Sequence, residues 1–453
     1  MSTAMRLEHL PPLFRLAGPL ILSSSSITIM QLIDALLLAR HSSEAVAAMG
    51  PSSLAVILFQ GLMFGTASYA GTFVAYNHGR GDARGILAST WLGIHTSLLL
   101  GALALAFAWP GARIFNHVGH EPEVARGEAV YFLICMTGSV FPVLSSALAG
   151  WLIGVGRAMI ATWVTFAALA VNAVLDWGLI LGHWNLPRLG IAGAALGTVT
   201  AQAVSAGLFL LLFARAGGLS APGIRRPDLP ELRRFLSLAL PIGLRISVEI
   251  AAWTVFLVIV GRLGTVELAA SSIAFRINGT AFFPAIGLGQ AAGILVGHAR
   301  GGGRDHKVPA IAWQSLGVCE AWMLIMAILF AVLPEELMAL FAGSGPESAA
   351  IVETGARVLR FVAFYCLFDA ANVMLGFVLG AAGDTRWVAR AYVAGSGVFL
   401  ALLWLTDAFM PSLMAEWTLA TGFVLATALL WLLRFRSGAW RRMQVLQEKP
   451  AAA

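Results

Sequence analysis

Of 453 residues, 59% are apolar and only 11% are charged, with a formal net charge of +6. A soluble domain carries about 25% charged residues, so this composition excludes a water-soluble globular protein and implies an integral membrane protein. A nucleic-acid reading fails too, because no basic soluble face interleaved with aromatics is available to carry it.

In chain order, the leader "MSTAMRLEHLPPLF" runs into an apolar stretch with no small-residue cleavage site behind it. That stretch reads as a retained first span. Apolar windows of about 20 residues mark spans, and twelve are predicted: 13–38, 52–77, 87–109, 128–152, 158–181, 190–214, 235–260, 270–298, 308–333, 351–380, 386–408 and 412–435. All are rich in Leu, Ala, Val and Gly without period-2 alternation, which favours helices over a barrel. Gly150, Gly154, Gly156, Gly193 and Gly197 are candidates for close helix approach. Cys135, Cys319 and Cys366 lie far apart in apolar runs and read as packing residues, not disulfide partners. Pro19 and Pro241 are expected to open the first and seventh helices, and Pro142 and Pro284 to lie inside spans as kinks. The tail beyond the last helix, "RRMQVLQEKPAAA", is expected to be disordered.

With the N-terminus inside, the cytoplasmic segments hold about twenty Lys and Arg against about seven outside. Arg80, Arg84, Arg225, Arg226, Arg300, Arg304 and Lys307 are among them, and the outer 334–350 loop is acidic. Both termini are therefore expected in the cytoplasm. Landmarks also coincide on a 222-residue shift: Pro19 with Pro241, Gly65 with Gly287, Gly79 with Gly301 and Gly81 with Gly303. Six spans separate each pair, so the two copies share one orientation. The expected organisation is an N-lobe at 1–214, a Gly-, Pro- and Arg-rich linker at 215–234, a C-lobe at 235–436 and a tail at 437–453. Two parallel six-helix lobes about a midplane cavity are transporter architecture.

Charges inside the spans are costly and mark function by default. Those singled out are Asp34, Asp176, Arg245, Glu249, Arg276, Glu320 and Asp369, with His95 as a titrating addition. Asn172 and Asp176 are four residues apart, so an amide and a carboxylate share one helix face and converge on an ion or proton. Asp369 follows Tyr365 at the same spacing. Oxygen ligands suit a proton or a hard cation such as Na+. The competing structural readings are a self-neutralising Arg245/Glu249 pair and an Arg276 balancing Asp369 or Glu320. Asp34 and Asp176 have no basic neighbour at helical spacing. His95 and aromatics such as Trp163, Phe166, Phe256, Phe282 and Phe283 read first as packing residues.

"AGPLILSSSSITIMQLIDALLLARHSSEAVAAMG" resembles the first helix and turn of the multidrug and toxic compound extrusion (MATE) transporters. "VNAVLDWGLILG" followed by "LGIAGAALGTVTAQ" is similar to their helices five and six. "ELAASSIAFRINGTAFFPAIGLGQAAGILVGHARGGGRD" resembles their eighth helix and loop, and "LGAAGDTRW" the end of the tenth. The resemblance covers essentially the whole chain and implies the MATE-like fold of twelve helices in two pseudo-symmetric lobes. It implies a bacterial inner-membrane antiporter exporting cationic, lipophilic compounds, with H+ or Na+ as coupling ion, no organic cofactor, and a monomer in the bilayer. Carried over by residue, it implies an N-lobe cation or proton site at Asp34, Asn172, Asp176 and Thr198. It implies a C-lobe acidic site at Glu249, Tyr365 and Asp369, with Na+ at that set or at Asn172 and Asp176. Met30 stands where the family has a tyrosine, one turn before Asp34.

Alternatives remain open at this point. A major-facilitator transporter would carry a characteristic loop after the second helix, which "HGRGDARG" matches only loosely. A flippase for a lipid-linked or amphipathic metabolite would favour deep arginines over deep acids. An enzyme is not expected, since no metal-ligand cluster, nucleophile elbow or phosphate-cradling loop stands out.

Overall fold

The computed structural model describes residues 8–220, 228–343 and 345–446, without the side chains of 27–29, 31, 32, 35, 39 and 43. Linker residues 221–227, with Arg225 and Arg226, and tail residues 447–453 lie outside the described residues. Among the described residues every regular element is helical. They are α1 (Leu10–Ala39), α2 (Ser43–Ser68), α3 (Ala70–Arg80), α4 (Ala83–Ala112), α5 (Pro122–Thr137), α6 (Val140–Gly154), α7 (Ala158–Leu181), α8 (Ile191–Arg215), α9 (Leu229–Leu263), α10 (Thr265–Gly301), α11 (Val308–Val332), α12 (Pro334–Ala339), α13 (Ser348–Ala381), α14 (Thr385–Phe409) and α15 (Leu413–Arg436).

All twelve expected spans fall on helices. Among the described residues ten segments are long and apolar enough to cross a membrane, or eleven if α5 and α6, bent by 44°, count as one. The first expected span lies within α1, a helix of 30 residues.

Local chemistry sets the boundaries. Ser42 caps α2 by accepting from the Ala45 N–H at 3.1 Å, and Asp82 caps α4 by accepting from Gly85 at 2.8 Å. These bonds satisfy amides that a helix start leaves without intrahelical partners. Gly81 closes α3 in the left-handed region at φ 72°, and Gly303 turns the chain after α10 at φ 68°. The two are 222 residues apart, so the repeat read from sequence is also a repeat of backbone conformation.

Contacts divide the chain into two compact units. Unit 1 is Met1–Ile21 with Val248–Ala453, and unit 2 is Leu22–Ser247. The expected lobe boundary lay in the 215–234 linker, whereas these dividing points fall inside α1 and α9. Glycine packing gives the reason. A β-carbon on Gly65 of α2 would stand 2.7 Å from Gly243 Cα of α9, and one on Gly287 of α10 would stand 2.8 Å from the Ile21 nitrogen of α1. Gly65 and Gly287 are repeat equivalents, and so are Ile21 and Gly243. In each case the first half of an opening helix packs on the second helix of the other repeat.

Several expectations change. Pro19 and Pro241 sit inside α1 and α9 instead of opening them, and Pro142 lies in the first turn of α6 just after the bend. Gly150, Gly154, Gly193 and Gly197 do allow close approach, but Gly156 faces open space and serves a turn at φ 83°. The first part of the tail is ordered. Residues Ala439–Arg442 form a 3-10 turn that buries Trp440, and Val445 is buried as well. Arg300 holds this segment by donating to the carbonyls of Ala382, Trp440 and Met443. All three cysteines are free and buried.

Candidate functional site

Unit 2 gathers its acids where α1, α7 and α8 meet. α7 and α8 pack on each other along their length, with small residues at the seam. A β-carbon on Gly193 would approach the Leu179 carbonyl oxygen to 2.5 Å, and one on Gly197 would collide with Asp176 Oδ1. The missing side chain at Gly197 is thus the space the Asp176 carboxylate occupies. α1 is tied to this pair at two levels. Ser23 Oγ donates to Thr162 Oγ1 at 3.0 Å, and Arg188 Nε donates to His41 Nδ1 at 3.1 Å.

Between those ties stands Asp34, 4% exposed, beside Asp176 and Asn172, both fully buried. The carboxyls of Asp34 and Asp176 interact with each other. Among the described residues, Oδ1 of Asp34, both oxygens of Asp176, both amide atoms of Asn172 and Oγ1 of Thr198 are buried with no hydrogen-bond partner. Leaving a buried polar atom unpaired costs about 1–3 kcal/mol, more if charged. Six such atoms on four neighbouring side chains are far outside what packing alone tolerates. Asp34, Asp176 and Asn172 thus stand together, and Thr198 follows Gly197, the residue against Asp176, on α8.

The sequence reading missed Tyr131 on α5. It is buried, shares a hydrogen bond with Cys135 and lies within electrostatic reach of both Asp34 and Asp176. Its only signal in sequence was a polar group in an apolar span.

Unit 1 places Tyr365 and Asp369 on α13, the helix against which α10, α11, α12, α14 and α15 all pack. Both are buried. Asp369 Oδ1 accepts from Asn372 Nδ2 at 3.3 Å, and Asn372 Oδ1 accepts from Trp431 Nε1 of α15 at 2.7 Å. Glu249 and Arg245 are half-buried on α9, and Glu320 is half-buried on α11. Arg276 is exposed, and among the described residues it forms no ion pair with Asp369 or Glu320. His95 is half-buried against the Trp91 ring at 5.5 Å.

Three further buried acids escaped the sequence reading. Asp384, in the "LGAAGDTRW" stretch, is held by two bonds from Arg434 at 2.7 and 3.1 Å, a structural pairing. Glu128 is fully buried and accepts from His120 Nδ1 at 2.9 Å. Glu416, in the first turn of α15, is fully buried, and among the described residues neither of its carboxylate oxygens has a partner.

The MatE family model matches the chain twice, over residues 19–177 and 241–405. The two matches begin at Pro19 and Pro241, the same shift that aligns the glycine turns. Relatives at similar distance include the probable multidrug resistance protein NorM of Bradyrhizobium diazoefficiens, 32% identical over 82% of this chain and 81% of the relative. The protein of the same description from Pseudomonas aeruginosa is 29% identical over 93% of this chain and 88% of its own length. Among solved structures, a MATE protein in complex with MaL6 shares the fold with a TM-score of 0.84 at 19% identity, covering 95% of this chain and 97% of that one. A repeated family match, relatives matched over most of their length and a shared helical fold agree: the chain belongs to the MatE family of multidrug efflux transporters.

Proposed function

We propose that the protein exports lipophilic organic cations in exchange for protons, with the Asp34–Asp176 pair as the coupling site. The observation that carries this reading is the set of unpartnered oxygens on Asp34, Asn172, Asp176 and Thr198. Two carboxyls side by side in an apolar surround cannot both carry charge at low cost. A proton held between them relieves that cost, and its loss leaves an anion able to attract an organic cation. Na+ could meet the same oxygens, since carboxylate, amide and hydroxyl groups suit a hard cation.

Coupling through unit 1 is the second reading, with Na+ at Glu249, Tyr365 and Asp369. Asp369 is already anchored by Asn372, which favours unit 2. By the excess of basic residues in the inner segments, both termini face the cytoplasm of a bacterial inner membrane. One charge moving inward at ~100 mV supplies about 2.3 kcal/mol, enough for a substrate gradient of roughly fifty-fold. Alternating access would flex α1 and α9, the helices that each belong to both units. The working unit is a monomer.

Purified protein in liposomes, loaded with a fluorescent organic cation at clamped potential, tests the reading. Cation movement driven by a pH gradient without Na+ supports it. Movement driven only by a Na+ gradient moves the coupling site to unit 1 or to Na+ at Asp176. No movement under either gradient removes the drug-exporter reading and favours a flippase.

A further inference from the structure

Glu416 is the deepest acid of unit 1 that neither reading above employs. Its residue is 0% exposed, and both carboxylate oxygens are buried without a hydrogen-bond partner. The helix start around it does not solve the problem. Ser412 precedes α15 but its side chain makes no cap hydrogen bond, and the indole N–H of the neighbouring Trp417 is spent on Ser271 Oγ at 3.1 Å. Trp417 itself packs into an aromatic cluster with Phe256 and Phe275.

Of the helices packed against α15, α14 brings a charged side chain within electrostatic reach of Glu416, namely Asp407. Asp407 is bonded at 2.8 Å to Arg262, at the end of α9. Side-chain exposure falls along this series, from 63% at Arg262 to 12% at Asp407 and then to full burial at Glu416. The expected topology puts the end of α9, the end of α14 and the start of α15 on the outer face. On that topology the three residues run from outer water inward in order of decreasing exposure.

We infer that Glu416 is a second proton-binding site of the transporter, loaded from the outer face past the Asp407–Arg262 ion pair. A proton fits better than Na+. It needs one oxygen, whereas Na+ wants several, and the second carboxylate here is already engaged by Arg262. An ionised Glu416 would have no compensating charge in contact and would face Asp407 as a like charge. When the proton leaves, it returns to outer water by the same path, and the first turn of α15 must then open to water or accept a buried anion. This inference does not depend on Asp34 and Asp176 being the coupling pair.

Infrared titration of the full-length protein in nanodiscs tests it by following the C=O stretch of protonated carboxylic acids. Wild type should show a band at neutral pH that is absent in Glu416→Gln. Asp407→Asn removes the like charge and frees Arg262, so the wild-type band should disappear at lower pH. Arg262→Gln leaves Asp407 uncompensated, so the band should persist to higher pH. These last two variants keep Glu416 and carry the test if Glu416→Gln fails to fold. Identical spectra for wild type and Glu416→Gln, or no movement in either pairing variant, would overturn the inference. So would a band lost on adding Na+ at constant pH, which would give the acid to Na+.

Discussion

Gly197 of α8 and Asp176 of α7 occupy one space: a β-carbon on the glycine would fall on the carboxylate oxygen. Gly197→Ala must therefore displace the acid or part the helices. Overpacking of this kind costs about 1–3 kcal/mol. We expect Gly197→Ala to lower the melting temperature and to lose coupled export, while the same change at Gly207, with open space around it, alters neither. Equal transport by both variants would show that the acid is not held by this contact.

Asp34→Asn and Asp176→Asn keep volume but remove the charge. Because an amide at either position can still bond the facing carboxyl, unfolding free energy should change by less than about 1 kcal/mol. Proton-driven export should fall at least tenfold. A variant that unfolds instead would mark the acid as structural.

The Trp431–Asn372–Asp369 chain predicts a different phenotype for unit 1. Trp431→Phe removes the donor to Asn372 and leaves its carbonyl unpaired, at a cost of about 1–3 kcal/mol. Thermal unfolding should report the loss, and proton-driven export should survive in the protein that remains folded. Loss of export at full stability would move the coupling site to α13.

At the start of the chain, two groups outside the spans respond to acid. The hydrogen bond and charge of Lys307, 2.9 Å away, hold the Glu8 carboxyl below its ordinary value of 4.5. Desolvation holds the neighbouring His9 below 6.5. In both cases the unfolded chain binds its proton first, so stability falls with pH. The His9 contribution fades from 6.5 downward, and the Glu8 contribution below 4.5 as pH passes its folded value. Both are modest, because Glu8 is exposed to screening. Glu8→Gln should melt slightly below wild type at neutral pH and low salt, with the curves converging in acid. A gap that persists in acid would assign the effect to packing.

Arg300 gives the largest expected change away from the acids. Its guanidinium satisfies carbonyls of the α13–α14 turn and of the tail. Arg300→Ala should cost about 3 kcal/mol through unpaired carbonyls, and Arg300→Lys should not restore it, since one ammonium cannot reproduce the fork. Protease sensitivity of the tail before global melting would locate the effect.

Hydropathy and the 222-residue shift were enough to place helices at the twelve expected spans and to show a doubled chain, and stretches such as "VNAVLDWGLILG" carried the resemblance to the family. Each is a one-dimensional property: apolar length, and the spacing of glycines whose backbone must turn left-handed, as at Gly81 and Gly303. Spacing along one helix also paired Asn172 with Asp176 and Tyr365 with Asp369. What lies between helices was decided by tertiary packing. Sequence could not show that Gly197 is the space for Asp176, that Tyr131 reaches the same pair from α5, or that Arg276 faces outward. Nor could it show that Asp384 is neutralised by Arg434, 50 residues away, while Glu416 has no partner. The exchange of half-helices between repeats is likewise a matter of surface fit, Gly65 on Gly243 and Gly287 on Ile21. Whether an acid is structural or functional depends on what stands across from it, and that is set by the fold in three dimensions.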